Sequence, residues 1–368
     1  MLLSTLMSFQ ALAQSITQPP NGDNQKSSVT QMIGLVKVTI DYSSPDVHGP
    51  NGEDRTGKIW GEVVHYGFID QGFGTSKAAP YRAGANENTT ITFSHDVQIE
   101  GKDLKAGTYG LFLALAKEGS SQWIFSRNNS SWGSYFYDEK DDALRVSATL
   151  QPAPYTEWLS FHFEDRQPSS TVAYLQWENK RIGFKVSVPN IHQLYVNKMR
   201  DELKNSTGFD HRNWVFAAQY CVANNINLDE ALIWADYGIS GAFIGEENFL
   251  TVSTKALVLR ALKRNTEANA LMDQAIKLPT ATVDDIYQYG RSLINEGKNA
   301  EALTVFKYNQ QRFPKSTFVT TLGLARGYAA TGDKKNAIKN WELVLKNIPD
   351  NRKQFKAQYE EELRKLKG

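Results

Sequence analysis

Arg82, Asn86 and Glu87 set a fixed cation, an amide and a carboxylate beside Gly84, immediately ahead of the strand-like run Thr89–Phe93. A carboxylate so placed can act as general acid or base while the guanidinium and the amide orient a polar substrate. The plainer alternative is an internal ion pair from Arg82 to Glu87 that pins the preceding loop. Trp132 and Tyr135, flanked by Phe136 and Tyr137 and with Trp123 upstream, offer ring faces on which a sugar would stack, although aromatic side chains at this density usually fill a sandwich interior. Arg82, Asn86, Glu87, Trp132 and Tyr135 are therefore the ligand-binding candidates, and the ligand class is a small polar molecule or a glycan.

Other chemistries find less support. Gly52 to Lys58 spells the opening of a phosphate-binding loop, but Ile59 stands where the magnesium-ligating hydroxyl belongs and no buried strand leads into it. The 6 histidines are scattered, without zinc spacing or an H-E-x-x-H pair. Gly238-Ile239-Ser240-Gly241 lacks the spacing of a nucleophile elbow. The acidic run Tyr137 to Asp142 could hold calcium, yet such runs usually face water. The expectation is no metal and no cofactor. Cys221, the only cysteine, sits in an apolar helical stretch where a thiol serves as a small buried hydrophobe.

These residues must be positioned by two unlike halves. From about 34 to 188 the chain alternates like β-strands: Val36, Val38, Ile40 and Tyr42 share one face, with Lys37, Thr39 and Asp41 opposite. Further strands read at 89–93, 97–100, 108–116, 122–126, 144–150, 157–164, 171–177 and 181–188, with Asn179-Lys180 as a tight hairpin. Short strands at this spacing predict an all-β antiparallel sandwich or jelly-roll-like domain. After Pro189 the pattern turns helical, and Ala231, Ala268, Ala302 and Ala337 recur at intervals of 34 to 37 residues. Gly297 and Gly332 precede Phe306 and Trp341 at the same offset. This spacing resembles tetratricopeptide (TPR) repeats, in which small residues let paired helices approach and an aromatic fills the groove between hairpins. The expected division is a signal peptide at 1–13, a disordered lead at 14–30, a β-sandwich at 31–189, a helical linker at 190–208 and an all-α TPR-like array at 209–368. The array should close with a solvated capping helix over 353–368.

Two motifs carry a second resemblance. Tyr81-Arg82-Ala83-Gly84-Ala85-Asn86-Glu87, followed by Leu104-Lys105-Ala106-Gly107-Thr108-Tyr109-Gly110, is similar to the bacterial domain-of-unknown-function family numbered 2911 over about residues 30–188. Tyr42-Ser43-Ser44-Pro45, Lys58-Ile59-Trp60-Gly61, Trp132-Gly133 and Tyr137-Asp138 support it. The resemblance implies an exported β-rich domain, sometimes joined to helical repeats, and brings no established activity. The chain departs from the family pattern by a longer insertion, Gly67 to Pro80, and by Tyr81 in place of a tryptophan.

Composition bounds the partners. Lys and Arg total 41 against 40 Asp and Glu, a net charge of +1 that leaves no footprint for nucleic acid. No segment after the N-terminus has the 18 or more apolar residues of a membrane span. The opening run MLLSTLMSFQALAQ ends in Ala11-Leu12-Ala13, the small-x-small pattern read by signal peptidase, so a periplasmic or secreted address is expected. The reading this favours is an exported, non-enzymatic binding or scaffold protein, its β-domain holding a ligand or envelope component and its array a protein partner. The alternative is an enzyme acting on a carbohydrate or small polar molecule with Glu87 as acid or base; a third reading makes the sandwich a spacer. N-terminal sequencing of the exported protein should begin at Gln14, and recovery of intact Met1 from a cytosolic fraction would refute both cleavage and address.

Overall fold

The structure, a computed structural model, describes residues 24–49 and 52–368. The expected signal peptide and the first part of the expected lead lie outside the described residues. The remainder of that lead is ordered, which corrects the expectation. Gln25–Ile33 forms strand β1, paired along its whole length with β2 (Val36–Ser44) through a tight turn at Gly34, whose φ of 56° a glycine adopts without strain. The polar QKSSVTQ composition hides a strand because β1 lies at a sheet edge and keeps most of its side chains in water.

Beyond β2, the short β3 (Trp60–Gly61) and β4 (Val64–His65) pair in parallel. Then come β5 (Thr90–Phe93), β6 (Val97–Ile99), β7 (Lys102–Leu104), β8 (Gly107–Ala114), β9 (Ser121–Ser126), β10 (Asp142–Ala148), β11 (Gln151–Gln167) and β12 (Ser170–Ser187). A six-stranded sheet in the order β1-β2-β5-β8-β9-β10 packs against a four-stranded one in the order β11-β12-β6-β7, and the pairings within both are antiparallel. Trp123 and Phe125 meet Phe184 edge-on at 5.3 and 5.2 Å, and Tyr42 meets Phe161 at 5.0 Å, so the alternation read from sequence does face a shared core. Among the described residues the sheets form a sandwich with no closed barrel. Asn179-Lys180 is not a hairpin. The chain reverses at Pro168-Ser169, and β12 runs straight through 179–180; the irregularity is taken up by β11, whose register shifts between Pro152 and Thr156 and again between Thr156 and Ser160 on either side of its pairing with Glu178.

A second, smaller core lies on the outer face of the six-stranded sheet. Phe112, Ala114 and Ile124 point away from the sandwich and are covered by Tyr137, whose ring stands 5.4 Å from that of Phe112. Strand β8 is thus buried on both faces, which draws the segments 66–81 and 127–142 over the sheet; Tyr81 pairs with Leu113, and Tyr66 with Leu115.

The chain divides into two compact units, with the boundary along the chain between Ile191 and His192. Helix α1 (Ile191–Glu202), expected as a linker, belongs to the second: Val196 is buried with Ala217, Ala218 and Cys221. Four hairpins follow, α2 (His211–Ala223) with α3 (Leu228–Ser240), α4 (Phe249–Ala261) with α5 (Asn265–Ala275), α6 (Val283–Asn295) with α7 (Asn299–Arg312), and α8 (Thr317–Ala330) with α9 (Lys334–Lys346), then α10 (Lys356–Lys367). Ala231, Ala268, Ala302 and Ala337 are completely buried on the second helix of each pair. The Phe306 ring fills the space that Gly290, Gly323 and Gly327 leave open, since a Cβ at any of the three would press into it. The expected solvated cap is anchored: Tyr359 of α10 is buried 5.7 Å from the ring of Trp341.

Three of the hairpins turn through three residues, Leu262–Arg264, Glu296–Lys298 and Thr331–Asp333, and each middle residue is left-handed: Lys263 at φ 63°, Gly297 at 76°, Gly332 at 81°. A side chain in that region costs about 1–2 kcal/mol, offset in part by the unfolded-state entropy a glycine adds. Lys263→Gly should therefore stabilise the helical unit by about 0.5–1 kcal/mol in a denaturant melt; a loss of stability would mean that the Lys263 side chain makes a contact worth more than the strain.

Candidate functional site

Glu87 stands at a polar cavity of about 460 Å³ where β1 and β2 meet the loop after β9. Lys26 reaches it from β1 and forms an ion pair with the Glu87 carboxylate. Asn88, only 5% exposed, is clamped by that loop. Its backbone N–H donates to the Ser131 carbonyl at 3.1 Å and its side-chain amide donates to the Asn128 carbonyl at 3.1 Å, while Ser131 Oγ donates to Asn128 Oδ1 at 2.8 Å. Asn88 Oδ1 is buried without a partner, a free acceptor at a wall of the cavity. Ser27, Asp41 and Asn129 add polar groups, so the cavity suits a ligand rich in hydroxyls or amides more than an apolar one.

Burial pushes the Glu87 carboxyl up, but the hydrogen bond and charge of Lys26 and the neighbouring donors outweigh it, and the group titrates below its ordinary range. A general acid at neutral pH needs the opposite displacement. The site is built to keep Glu87 charged.

Arg82 does not bridge to Glu87, which corrects the internal ion pair considered from sequence. Its Nη1 donates to the Asn86 carbonyl at 2.9 Å, its guanidinium lies 4.8 Å from the centre of the Tyr135 ring, and its other side packs on Gly133, where a Cβ would overlap it. Asn86 is left-handed at φ 59°, so the chain turns sharply there and sends Glu87 to the cavity while Arg82 stays in the stack. Of the five candidates, Arg82, Asn86 and Tyr135 come together, Glu87 joins a different set, and Trp132 is 57% exposed apart from the cavity. Trp123 and Tyr137 are buried, whereas Phe136 and Phe73 are exposed beside Tyr135. Lys26, Asn88, Asn129 and Ser131 escaped the reading from sequence. Nothing in the polar run Asn128-Asn129-Ser130-Ser131 marks it in sequence as the wall of a site, and β1 does not read as a strand.

Among the described residues, no three His, Cys, Asp or Glu side chains converge on a metal position. In the acidic run, Asp142 is drawn into an ion pair with Arg145 at 2.5 Å and accepts a hydrogen bond from Tyr137 at 2.8 Å. Burial raises the Cys221 thiol to about 11, the opposite of an activated nucleophile.

The helical unit has its own concavity. Helix α3 packs on α4, and α7 on α8, but α5 and α6 barely meet, because the connection 276–282 is held instead by Arg312, which donates to the carbonyls of Ile276 at 2.5 Å and Leu278 at 2.6 Å. A cleft of about 490 Å³ opens there on the side of the first helices, between α4 and α6 with Gln219 of α2 at one end. Leu257, 43% exposed, lies in it, and the Arg260–Glu296 ion pair crosses its edge.

An antiparallel sandwich followed in sequence by stacked helical hairpins with a buried small-residue register makes the chain a two-part protein of β-domain and TPR-like array. Residues 24–186, within the β-unit, match the family described as "Protein of unknown function (DUF2911)". No curated protein matches the chain. Among solved structures it is similar to MamA 41-end from Desulfovibrio magneticus RS-1, at 16% identity over 43% of this chain and 93% of that one with a TM-score of 0.30. It is also similar to YrrB, described as a TPR protein with an unusual peptide-binding site, at 19% identity over 44% of this chain and 84% of that one with a TM-score of 0.30. Those scores are low, and the repeat character of the array rests on its own packing.

Because Glu87 pairs with Lys26 at the surface, Glu87→Gln should lower stability by no more than about 1 kcal/mol. Arg82→Met removes the ring stack and the bond to the Asn86 carbonyl and should cost about 1–2 kcal/mol, adding to the Glu87 effect without coupling. Thermal melts of the single and double variants measure this. Strong non-additivity would restore the Arg82–Glu87 bridge.

Proposed function

We propose that this is a docking scaffold whose helical array holds a segment of a protein partner, while the β-domain offers its Lys26–Glu87 cavity to a small polar or glycan ligand. The observation that carries the reading is the cleft between α4 and α6. Regular stacking would close that space; here it stays open along the first helices and presents Leu257 and Phe249 among hydrogen-bonding side chains. A mixed apolar and amide-bearing groove matches the alternating side chains and free backbone groups of a peptide. The small-x-small run ending at Ala13 supports an exported protein working in the periplasm or outside the cell. The enzyme reading is weaker, since the Glu87 carboxyl is held charged beside Lys26 rather than poised to donate a proton.

The full chain, immobilised and exposed to an envelope extract, should retain a partner that Leu257→Asp releases. Leu343→Asp, a change at a similarly exposed leucine on second helix α9, should leave capture intact. Equal capture by all three proteins would remove the cleft as the docking surface.

A further inference from the structure

The outer face of the six-stranded sheet carries hydroxyls in register. Thr30 of β1, Thr39 of β2, Thr92 of β5 and Thr108 of β8 are direct cross-strand partners, and the hydroxyls of Thr30 and Thr39, and of Thr92 and Thr108, are hydrogen-bonded at 2.9 Å. The next row on the same face runs Ser28, Asp41, Thr90 and Gly110, again in direct register. Gly110 lacks the Cβ that would strike the Asn128 carbonyl and the Asn88 amide, so Asn88 and the loop at 128–131 close over that end of the row. Ser28, Asp41 and Thr90 thereby line the cavity at Glu87.

The charged groups lining this cavity are Lys26, Asp41 and Glu87, one cation against two carboxylates. Lys26 is taken by Glu87, whereas Asp41 has no ion-pair or side-chain hydrogen-bond partner among the described residues. Donors that could serve an anion are already committed. The side-chain amide of Asn88 donates to the Asn128 carbonyl, that of Asn129 to the Thr108 carbonyl at 2.7 Å, and Ser131 Oγ to Asn128 Oδ1. These bonds fix the amides of Asn88 and Asn129 with their oxygens as the free ends, and Asn88 Oδ1 is buried without a donor in reach. An acceptor so placed is costly until a donor is supplied, and the surplus carboxylate calls for that donor to be positively charged.

We propose that the cavity binds a ligand through a primary ammonium group, held by Asp41 and Asn88 Oδ1 with Glu87 beside them, and that the ligand's hydroxyls lie along the serine and threonine rows, the chemistry of an amino sugar. This deepens the reading of the cavity as a site for a small polar or glycan ligand and rests on it. Lys26 shows that the place accepts such a group, since its own ammonium already sits on the Glu87 carboxylate at the end of a side chain that is 77% exposed. A divalent cation fits less well, because among the described residues no three His, Cys, Asp or Glu side chains converge on a metal position. The threonine row crosses four strands, about 14 Å at the usual strand spacing, which is room for more than one sugar ring.

The test is isothermal titration calorimetry of the full chain at low salt and about pH 6, where carboxylates stay ionised, with triglucosamine, its uncharged N-acetylated counterpart and putrescine as probes. Saturable binding of triglucosamine is expected, roughly tenfold or more tighter than that of the N-acetylated sugar and weakened by added salt. Asp41→Asn should lower the affinity roughly tenfold, and Lys26→Met should raise it roughly threefold by releasing Glu87. Glu118→Gln, a change outside the cavity, should do neither. Lys26 and Asp41 are exposed, so both variants keep the fold, which circular dichroism checks. Putrescine binding as tightly as triglucosamine would support the ammonium seat and assign it to an alkyl amine. Equal affinity for the N-acetylated sugar, or full affinity for triglucosamine in Asp41→Asn, would overturn the proposal and leave the cavity as a site for neutral glycans. Binding of none of the probes would overturn the proposal and the glycan reading together, while capture of a partner through Leu257 tests the helical array separately.

Discussion

Burial of β8 on both faces is the constraint from which the rest of the β-unit follows. Leu111 and Leu113 complete the sandwich core, and Phe112 and Ala114 must also leave water, at about 1.5–3 kcal/mol for each large side chain fully buried. The covering is done by irregular chain, the segments 66–81 and 127–142, with Tyr137 as the lid over Phe112. Once those segments lie on the sheet, Tyr135 and Gly133 arrive beside Arg82, and the loop at 128–131 arrives beside Asn88. The polar cavity at Glu87 is a by-product of that wrapping, which is why its walls come from distant parts of the chain.

The helical unit obeys a different constraint, the close approach of paired helices around small residues. Where the register is kept, as at Ala302 and Ala337 with Phe306 and Trp341, the hairpins interlock and their charged side chains find partners across the turns. Where the stacking is interrupted, between α5 and α6, a cleft remains. Beside the well-stacked final hairpins, Arg291, Arg326 and Arg352 line one pocket, none of them paired with a carboxylate. Both features are departures from a closed, self-satisfied surface, and departures of this kind mark where a second molecule supplies what the fold lacks. The β-unit shows the same pattern more weakly, with one unpartnered amide oxygen at Asn88 and an ion pair open to solvent.

The strands and helices were legible from residue periodicity, and so was the change from period 2 to period 3.6 after Pro189. Val36, Val38 and Ile40 alternate because one face of β2 is buried, and the four alanines recur because each hairpin repeats one contact. Edge strand β1 was not legible: a strand whose side chains stay in water needs no apolar alternation, and its existence depends on hydrogen bonds to β2. The stretch Asn179-Lys180 was misread for a related reason, since its polar residues suit a hairpin as well as a continuous strand, and only the length of the partner strand β11 decides between them.

For the site, the sequence by itself determined which residues were chemically capable and that Arg82, Asn86 and Glu87 lay in one loop. Tertiary structure decided their company. The left-handed turn at Asn86 separates Arg82 from Glu87, pairing one with Tyr135 and the other with Lys26, a residue more than fifty positions upstream. Neighbourhood in sequence constrains backbone distance, whereas ion pairs and free acceptors depend on which side chains the sheets and loops carry into contact, and that is set by burial across the whole domain.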